Sequence, residues 1–286
     1  MKSQYSCTLF EEEKRLDEQA KATKKIDSMA IKYIYKKLNL SKRKFYVLDV
    51  GCANGAVSID RFGKNNNAFV LGIDINQKII EKNIENNCNK NIIYKNFDIE
   101  DADFLKNIQK FINQNKIPKF DIVFVSYVLQ HLKDPLQVLK KLKLLLNQNG
   151  AIIVRGSDDG SKLACNDENL VGKIINLYNK AEGISDRYNG RKIYSQLWDS
   201  GFKDIKMFFD VLDTSQLNKE QRLKMFYESF SYRINIFKTL EQKYPDNKKI
   251  KQQKLQMEKY LKNLERLFQV PNFWYAETQF LGVGWA

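Results

Sequence analysis

The feature of this sequence that most constrains its fold is a series of short apolar runs, which recur between helical patterns. Runs of this length suit strands that are covered on both faces, and their alternation with helices predicts right-handed crossovers and a largely parallel sheet. With two further strands near the C-terminus, we predict an α/β fold with a doubly wound, seven-stranded, mostly parallel sheet. The first five runs are Phe45–Val50, Ala68–Ile73, Asn91–Tyr94, Phe120–Val125 and Ala151–Val154.

Helical patterns lie on both sides of this alternating segment. Apolar residues recur at near-helical spacing from Leu9 to Leu38, and two apolar stripes follow the sixth predicted strand, Phe202–Val211. We interpret these stripes as a pair of helices inserted before the last strand, Phe273–Trp285, either as a lid over a pocket or as plain packing onto the core. The chain, residues 1–286, is predicted to be one domain. It would consist of an N-terminal helical cap (1–40), a core (41–215), a helical insertion (216–268) and a final strand (269–286).

Capping and turn-forming residues predict several helix boundaries. Gly150 and Gly201 are each expected to end a helix, as a glycine often does at that position. Asn218, with Gln221 three residues later, resembles a capping box that would start the helical insertion.

Charge and hydropathy narrow the classes of function. The formal net charge is +14, which fits either a nucleic-acid or other anionic partner or a solvated, Lys-rich surface. The lysines are spread along the chain without a compact Arg cluster, and this favours the second interpretation. No run of eighteen apolar residues occurs and no apolar leader follows Met1, so we expect neither a membrane span nor a secretory signal.

The cysteines also limit the possible chemistry. They are scattered, they form no C-x-x-C pair, and no paired histidine accompanies them. This pattern predicts neither a metal site nor a disulfide framework, and it fits a reducing, cytoplasmic location. The four are Cys7, Cys52, Cys88 and Cys165.

The most informative segment is Val47–Gly55, which joins the first apolar run to a helix. Gly51 and Gly55 allow a tight turn and a close approach of backbone to a ligand. A dinucleotide would need the G-x-G-x-x-G spacing, but Ala53 stands where the second glycine belongs, which argues against a bound pyrophosphate. The D-x-G-x-A-x-G spacing suits a zwitterionic amino acid, with Asp49 holding either the turn or an ammonium group.

Further candidate ligand contacts follow the next three runs, at the edge where open α/β sheets bind ligands. Asp74 ends the second strand, where an acidic side chain can accept hydrogen bonds from both ribose hydroxyls. Asp98 follows the third strand, where it can accept a hydrogen bond from an adenine amino group. Ile75, Phe97 and Ile99 are expected to flank the adenine ring, and Ser126 and Tyr127 to end the fourth strand.

Together and in this order, the segments over about residues 45–155 resemble the class I S-adenosylmethionine-dependent methyltransferases. The resemblance implies a Rossmann-like fold, S-adenosylmethionine as cofactor and S-adenosylhomocysteine as product. It places Gly51 at the methionine part, Asp74 at the ribose and Asp98 at the adenine. Ala53 replaces a commoner Gly, a small-for-small change that leaves the assignment standing. The remaining turn residues in the expected cofactor site are Cys52 and Asn54.

Outside that core, Glu13–Gln19 resembles a helix that precedes the cofactor turn in some small-molecule methyltransferases. The resemblance implies that Arg15 reaches the cofactor carboxylate and that Tyr5 caps it. The alternative is an ordinary solvated helix with a Glu11–Arg15 pair.

Three residues are candidates for acid–base roles in catalysis. His131 is the single histidine, and because the unperturbed pKa of a histidine lies near neutrality it is a candidate general base, with a structural or cofactor-side role as the alternative. Asp158 and Asp159 follow the fifth strand and are interpreted either as bases, as contacts for a cationic substrate, or as caps of the next element. Arg187 lies in a second polar loop and is interpreted either as a contact for an anionic substrate group or as part of a polar turn.

The predicted reaction is SN2 transfer of a methyl group to an O, N, S or C atom of a small molecule. Ser126–Leu129 replaces the Asn/Asp-Pro-Pro-Tyr typical of methylation at adenine or glutamine amino groups, and no Pro-Cys or Thr-Cys pair for 5-methylcytosine chemistry is present. Two rival hypotheses are an RNA methyltransferase, which the positive charge supports, and a non-catalytic member that binds the cofactor. A dinucleotide-dependent oxidoreductase fits less well because of the glycine spacing.

Overall fold

The strands expected from the apolar runs are present in the computed structural model, which describes residues 9–181, 183 and 185–286, with side chains from Arg15 onward. They form one mixed sheet, and each lies within about two residues of its predicted position at its N-terminal end, except where β5 begins early. The strands are β1 (Phe45–Val50), β2 (Ala68–Asp74), β3 (Ile92–Asn96), β4 (Phe120–Ser126), β5 (Leu146–Gly156), β6 (Leu163–Ala164), β7 (Lys203–Asp213) and β8 (Tyr275–Trp285).

The order of the strands is that of a doubly wound sheet. It runs β3-β2-β1-β4-β5-β8-β6, and β7 pairs with β8. The pairs β1–β2, β1–β4, β2–β3 and β4–β5 are parallel, whereas β8 runs antiparallel to β5 and β6. The predicted α/β fold with a mostly parallel sheet is therefore confirmed, and the two-residue strand β6 adds to the seven strands expected.

Helices connect these strands and fill the segment before β8. Among the described residues, none of these helices combines the length and the apolar character needed to cross a bilayer. The helices are α1 (Leu9–Ala22), α2 (Lys24–Leu38), α3 (Ala56–Arg61), α4 (Gln77–Asn86), α5 (Phe104–Gln114), α6 (Pro135–Leu145), α7 (Leu170–Asn179), α8 (Ile193–Asp199), α9 (Lys219–Ser229), α10 (Ile234–Lys243) and α11 (Lys248–Phe268).

Three expectations about helices need correction. The pattern up to Leu38 forms two helices, α1 and α2, because Thr23 interrupts them and its hydroxyl donates to the carbonyl oxygen of Ala20 at 3.3 Å. The segment before β8 holds three helices, not two, because a short 3-10 turn separates α9 from α10. Helix α6 ends at Leu145, before Gly150, because Leu146 adopts an extended backbone and pairs with β4.

Other boundaries follow the sequence. Asn218 and Gln221 form the capping box at the start of α9, with each side chain bonded to the other's backbone N–H. Gly201 follows α8 with φ +81°, the left-handed conformation that glycine adopts without cost.

The chain divides into two compact units. Unit 2 comprises Ala20–Ser157, Tyr188–Asp210 and Gln279–Ala286, and it contains β1 to β5. Its apolar core lies on both faces of the sheet: Leu48 and Val50 of β1 belong to one cluster, and Phe45 and Val47 to the other. The apolar runs are buried on both faces, as their composition predicted.

Unit 1 comprises the described residues up to Gln19 together with Asp158–Arg187 and Val211–Thr278. It has a hydrophobic core of its own, built from α7, α9 and α11. The rings of Phe230, Phe268 and Tyr275 lie at its centre, with centroids 5.2 to 6.2 Å apart. The amphipathic stripes of the helical insertion therefore bury their apolar faces within unit 1.

Candidate functional site

The turn between β1 and α3 is fixed to the neighbouring strand β2 by its backbone. The N–H groups of Gly51 and Cys52 both donate to the carbonyl oxygen of Ile73, at 2.8 and 3.0 Å. Gly51, Ala53 and Gly55 have φ values of +69°, +46° and +74°. The alternation of such residues makes the sharp turn that the sequence predicts, and for Ala53 the conformation costs roughly 1–2 kcal/mol.

The glycines of this turn lie against large side chains. A Cβ on Gly51 would come within 2.3 Å of Cγ2 of Val128, and one on Gly55 within 2.3 Å of the Tyr94 hydroxyl oxygen. Burial raises the pKa of Tyr94, so that hydroxyl stays neutral. Both positions thus exclude a side chain for steric as well as conformational reasons.

Asp74, at the end of β2, holds the middle of the turn. Its Oδ2 accepts a hydrogen bond from the N–H of Ala53 at 3.0 Å, and its Oδ1 accepts one from the N–H of Asn76 at 2.8 Å. Burial raises the pKa of Asp74, although these backbone donors act in the opposite direction. The side-chain amide of Asn83 donates to the carbonyl oxygen of Ala53 at 2.6 Å, so the residue is held on both sides.

Sequence analysis did not find Asn83. It lies on the buried face of α4, beside apolar residues such as Ile80. A polar amide at a buried helix position needs a hydrogen-bond partner, and this was the signal available in the sequence.

Asp49 lies below the turn, with 2% of its surface exposed. Its Oδ2 accepts a hydrogen bond from the hydroxyl of Ser58 in α3. Burial raises the pKa of Asp49 to about 6, the nearby carboxylate of Asp74 adds to the rise, and the Ser58 hydrogen bond only partly offsets it. This environment favours the interpretation that Asp49 holds the turn.

The residues expected near adenine lie at the ends of β2 and β3, and they differ in exposure. Ile75 has 47% of its surface exposed, whereas Phe97 is half-buried and Ile99 belongs to the core. Oδ1 of Asp98 accepts a hydrogen bond from the N–H of Glu100 at 2.9 Å. Ile75 and Asp98 thus present surface to a ligand, while Ile99 contributes mainly to packing.

At the end of β4, Ser126 and Tyr127 are supported by a buried arginine of β5. The N–H of Tyr127 donates to the carbonyl oxygen of Arg155 at 2.9 Å, and Nη1 of Arg155 donates to the Ser126 hydroxyl at 3.4 Å. The guanidinium carbon of Arg155 lies 5.5 Å from the centroid of the Tyr127 ring. Tyr127 has φ +58°, a strained conformation of the kind that often marks a functional position.

His131 ends a short 3-10 turn that follows β4, and it is half-buried. The preceding residue, Gln130, fixes this turn to the end of β5, because its Oε1 accepts hydrogen bonds from the N–H and the hydroxyl of Ser157 at 3.2 and 2.7 Å. The imidazole is therefore carried on a backbone that is tied to two strand ends.

Sequence analysis also missed a buried ion cluster, which is formed by Asp27, Arg61 and Arg155. Asp27 of α2 accepts a hydrogen bond from Nε of Arg61 at 2.8 Å and forms an ion pair with Nη2 of Arg155. Burial lowers the pKa of Arg155 to about 9. The available signal was a charged residue inside an apolar pattern: Arg155 ends the β5 run, and Asp27 follows Ile26 on the buried face of its helix.

The remaining candidates belong to unit 1. Oδ1 of Asp158 accepts a hydrogen bond from the N–H of Gly160 at 3.0 Å, as expected of a cap. Asp159 is fully buried in an ion pair with Arg233, with Nη1–Oδ2 and Nη2–Oδ1 distances of 2.8 and 2.6 Å. Arg187 contacts the same carboxylate at 3.4 Å from both Nε and Nη2.

These contacts determine the protonation state of Asp159. Burial alone would raise its pKa, but the guanidiniums of Arg233 and Arg187 outweigh burial and hold the pKa well below its usual range. A carboxylate in this state is a poor proton acceptor near neutral pH. Sequence analysis had singled out Arg187 but not Arg233, whose partner lies far away along the chain.

Of the two N-terminal candidates, the structure describes only Arg15. Arg15 lies on α1 and is half-buried, whereas Tyr5 lies outside the described residues. Their expected contacts with a cofactor remain predictions.

Comparison with known proteins shows the family to which this chain belongs. Residues 41–201, more than half of the chain, match the family model described as a methyltransferase domain. The chain is 30% identical over 129 residues to the ubiquinone biosynthesis O-methyltransferase of Coxiella burnetii (strain RSA 493 / Nine Mile phase I), covering 44% of this chain and 49% of that protein.

A second relative is the tRNA U34 carboxymethyltransferase of Campylobacter jejuni subsp. doylei. It is 29% identical over 190 residues, which cover 65% of this chain and 57% of that protein. The chain thus spans about half the length of the curated relatives it matches. Among solved structures, the YcgJ protein of Bacillus subtilis has a TM-score of 0.50 at 11% identity, covering 88% of this chain and 97% of that one, which shows a shared fold.

Proposed function

The chain belongs to the methyltransferase domain family, of the class I S-adenosylmethionine-dependent type, and we propose that it transfers the methyl group of S-adenosylmethionine to a small-molecule acceptor. The observation that carries the proposal is the Gly51–Gly55 turn. Its central residue, Ala53, is held from one side by the carboxylate of Asp74 and from the other by the amide of Asn83. A turn fixed in this way at the carboxyl ends of two parallel strands is a preformed ligand cradle.

The residues of the cradle fit this cofactor. The left-handed backbone at Gly51 and Ala53 gives the methionine part a close approach to main-chain atoms. The Asp74 carboxylate accepts backbone hydrogen bonds from Ala53, Asn76 and Ile75, and since a carboxylate offers about four lone pairs it can accept a ribose hydroxyl as well. The exposed surface of Ile75 and the carboxylate of Asp98 suit the apolar face and the amino group of adenine.

When bound, S-adenosylmethionine supplies a methyl group on a positively charged sulfur, so the reaction needs alignment and exclusion of water more than strong acid–base chemistry. Tyr127 and Ser126 are fixed by Arg155 at the end of β4, where they can orient an acceptor. His131 is the candidate general base in this unit, on a turn that Gln130 fixes. Because its ion pairs make Asp159 a weak base, its role is to orient the guanidiniums of Arg187 and Arg233.

Two observations support a small-molecule acceptor. The segment Ser126–Leu129 lacks the sequence typical of amino-group methylation on adenine or glutamine. One relative carries the name ubiquinone biosynthesis O-methyltransferase, and transfer to oxygen is the first acceptor chemistry to test.

RNA is the second candidate substrate. The relative named tRNA U34 carboxymethyltransferase aligns with 65% of this chain, and the net charge is +14. RNA binding would depend steeply on salt concentration, because bound phosphates release counterions. A shallow salt dependence of RNA binding would contradict this candidate.

The first test is calorimetric titration of the purified protein with S-adenosylmethionine, S-adenosylhomocysteine and NAD. We expect micromolar binding of the two sulfur compounds and no binding of NAD. Substituting Asp74→Ala should weaken S-adenosylmethionine binding at least ten-fold, since hydrogen bonds to a charged group contribute about 1.5–3 kcal/mol each. Asp204→Asn, which alters an exposed carboxylate of the same unit, is the matched control.

The outcomes separate clearly. Tight NAD binding would contradict the interpretation of the Gly51–Gly55 turn, and unchanged affinity in Asp74→Ala would contradict the ribose assignment. Far-ultraviolet circular dichroism of the Asp74 variant is needed in parallel, because the side chain also holds the N–H of Ala53.

A further inference from the structure

Unit 1 contains a buried cluster in which one carboxylate serves two guanidiniums. Arg233 donates to both oxygens of Asp159, at 2.8 and 2.6 Å. Arg187 reaches the same oxygens at 3.4 Å, at the outer limit of hydrogen bonding. Of the two cations, Arg187 is therefore the weakly paired one.

The charges of this cluster do not balance within the described residues. Asp159 carries one negative charge against the two positive charges of Arg187 and Arg233. Lys162 also lies within range of Asp159, but it is paired with its own partner, Glu277. A buried cation is stable when an anion and hydrogen bonds compensate it, so the net positive charge of this cluster suits an anionic ligand.

Donor atoms are available for such an anion. The three hydrogen bonds described for Arg187 come from Nε and Nη2, two to Asp159 and one to the Tyr232 hydroxyl at 2.8 Å. A guanidinium has five N–H donors, so Nη1 retains two. Within the described part of the chain, Nε of Arg233 is a buried donor without a hydrogen-bond partner. The side chain of Arg187 is 13% exposed and that of Arg233 is not exposed at all, so Arg187 is the one that a ligand can reach.

The surroundings of the two guanidiniums are aromatic. Arg187 lies 5.8 Å from the ring centroid of Tyr232, and Arg233 lies 4.8 Å from that of Tyr178. The two tyrosine rings meet edge to face at 6.1 Å. Aromatic rings in this position favour a ligand with a singly charged, planar group attached to an apolar part over a strongly hydrated phosphate.

We propose that Arg187 binds the carboxylate of an organic-acid ligand, with Arg233 and Asp159 as the positioning residues that hold its guanidinium. This ligand site lies within unit 1 and goes beyond the proposed function. The backbone supports the geometry, because the N–H of Asp159 donates to the carbonyl oxygen of Arg187 at 2.8 Å.

The test is calorimetric titration of the full-length protein with sodium benzoate, at ionic strength held constant with sodium chloride. Sodium acetate and sodium phosphate are titrated in parallel. We expect saturable binding of benzoate, weaker binding of acetate and weakest binding of phosphate. Arg187→Gln should weaken benzoate binding at least ten-fold, because a charge-assisted contact from Nη1 is lost. Arg187→Lys, which keeps the charge without the planar fork, should fall between the two.

Lys249→Gln is the matched control, since it removes one positive charge from an exposed position of unit 1. Benzoate affinity should be unchanged in this variant. No saturable benzoate binding, equal losses in Arg187→Gln and Lys249→Gln, or tighter binding of phosphate than of benzoate would each overturn the proposal. These titrations need no cofactor, so their failure is distinguishable from failure to bind S-adenosylmethionine.

Discussion

Each of the two units buries one aspartate between two arginines, but only the cluster in unit 2 is sealed from solvent. There, Asp27 pairs with Arg61 and Arg155, and all three side chains are at most 2% exposed. The cluster joins α2, the end of α3 and the end of β5. Arg61 also donates to Asp60 and to the carbonyl oxygen of Ala20, so all three nitrogens of its guanidinium are bonded inside the protein.

The cluster in unit 1 is built differently. Both oxygens of Asp159 accept short hydrogen bonds from Arg233, whereas Arg187 is paired at longer distances and is partly exposed. The comparison teaches that a charge pattern alone does not define a role. A sealed cluster holds elements of the fold together, whereas a cluster with one loosely paired cation retains capacity for a ligand.

Removing the central carboxylate of the sealed cluster should have the largest effect on stability. Asp27→Asn leaves the buried guanidinium of Arg155 without a counter-charge and leaves Arg61 paired with Asp60 alone. We expect the free energy of unfolding to fall by about 3–5 kcal/mol. Urea denaturation followed by circular dichroism measures the change. Asp204→Asn, which breaks the exposed pair with Lys37, should shift it by less than about 0.5 kcal/mol. Similar losses in the two variants would show that Asp27 is no clamp.

The two arginines of unit 1 should differ in their contributions. Arg233→Gln breaks a bidentate buried pair and should destabilise the protein by about 2–3 kcal/mol, whereas Arg187→Gln should cost less than about 1 kcal/mol. The same denaturation experiment compares them. An equal cost would mean that Arg187 is as much a structural residue as Arg233, and the difference between the two clusters would disappear.

Much of unit 2 was predictable because its signals are local. The apolar runs of β1 to β5 are continuous in sequence, and Gly51 and Gly55 stand where the turn geometry demands them. The end of β2 at Asp74 follows from the same pattern, whereas the hydrogen bond from the N–H of Ala53 to its carboxylate was not predicted. Periodicity and turn chemistry are properties of neighbouring residues, so a sequence reveals them directly.

The ion clusters were not predictable, because their members are distant in sequence. Nothing near Arg155 or Arg233 in the chain indicates which carboxylate each will meet. Helix α6 shows the same limit: Gly150 is a credible helix end, but pairing of Leu146 with Phe120 in β4 ends the helix earlier. Tertiary contacts override local preference in these cases.

A third buried aspartate sharpens the comparison, because burial outweighs the effect of the nearby Arg61 on its pKa. Asp49 is bonded to the Ser58 hydroxyl, and burial raises its pKa to about 6, from about 3.9 in an unfolded chain. A raised pKa means that the native protein binds the proton more tightly. Its contribution to stability is therefore present below about pH 4 and is lost as the pH rises through about 6.

Asp49→Asn removes this pH-dependent loss, so the variant should equal the wild type near pH 4 and exceed its free energy of unfolding by about 2 kcal/mol at pH 7.5, without cofactor. Denaturation at several pH values between 4 and 7.5 measures the difference. Asp60→Asn is the opposing control, because a hydrogen bond from Lys24 lowers the pKa of Asp60, and its loss should destabilise the protein at neutral pH. The affinity of the Asp49 variant for S-adenosylmethionine then separates the two roles considered for Asp49. A large loss of affinity despite higher stability would mean that Asp49 binds the ammonium group of the cofactor. Unchanged affinity would mean that Asp49 holds the turn.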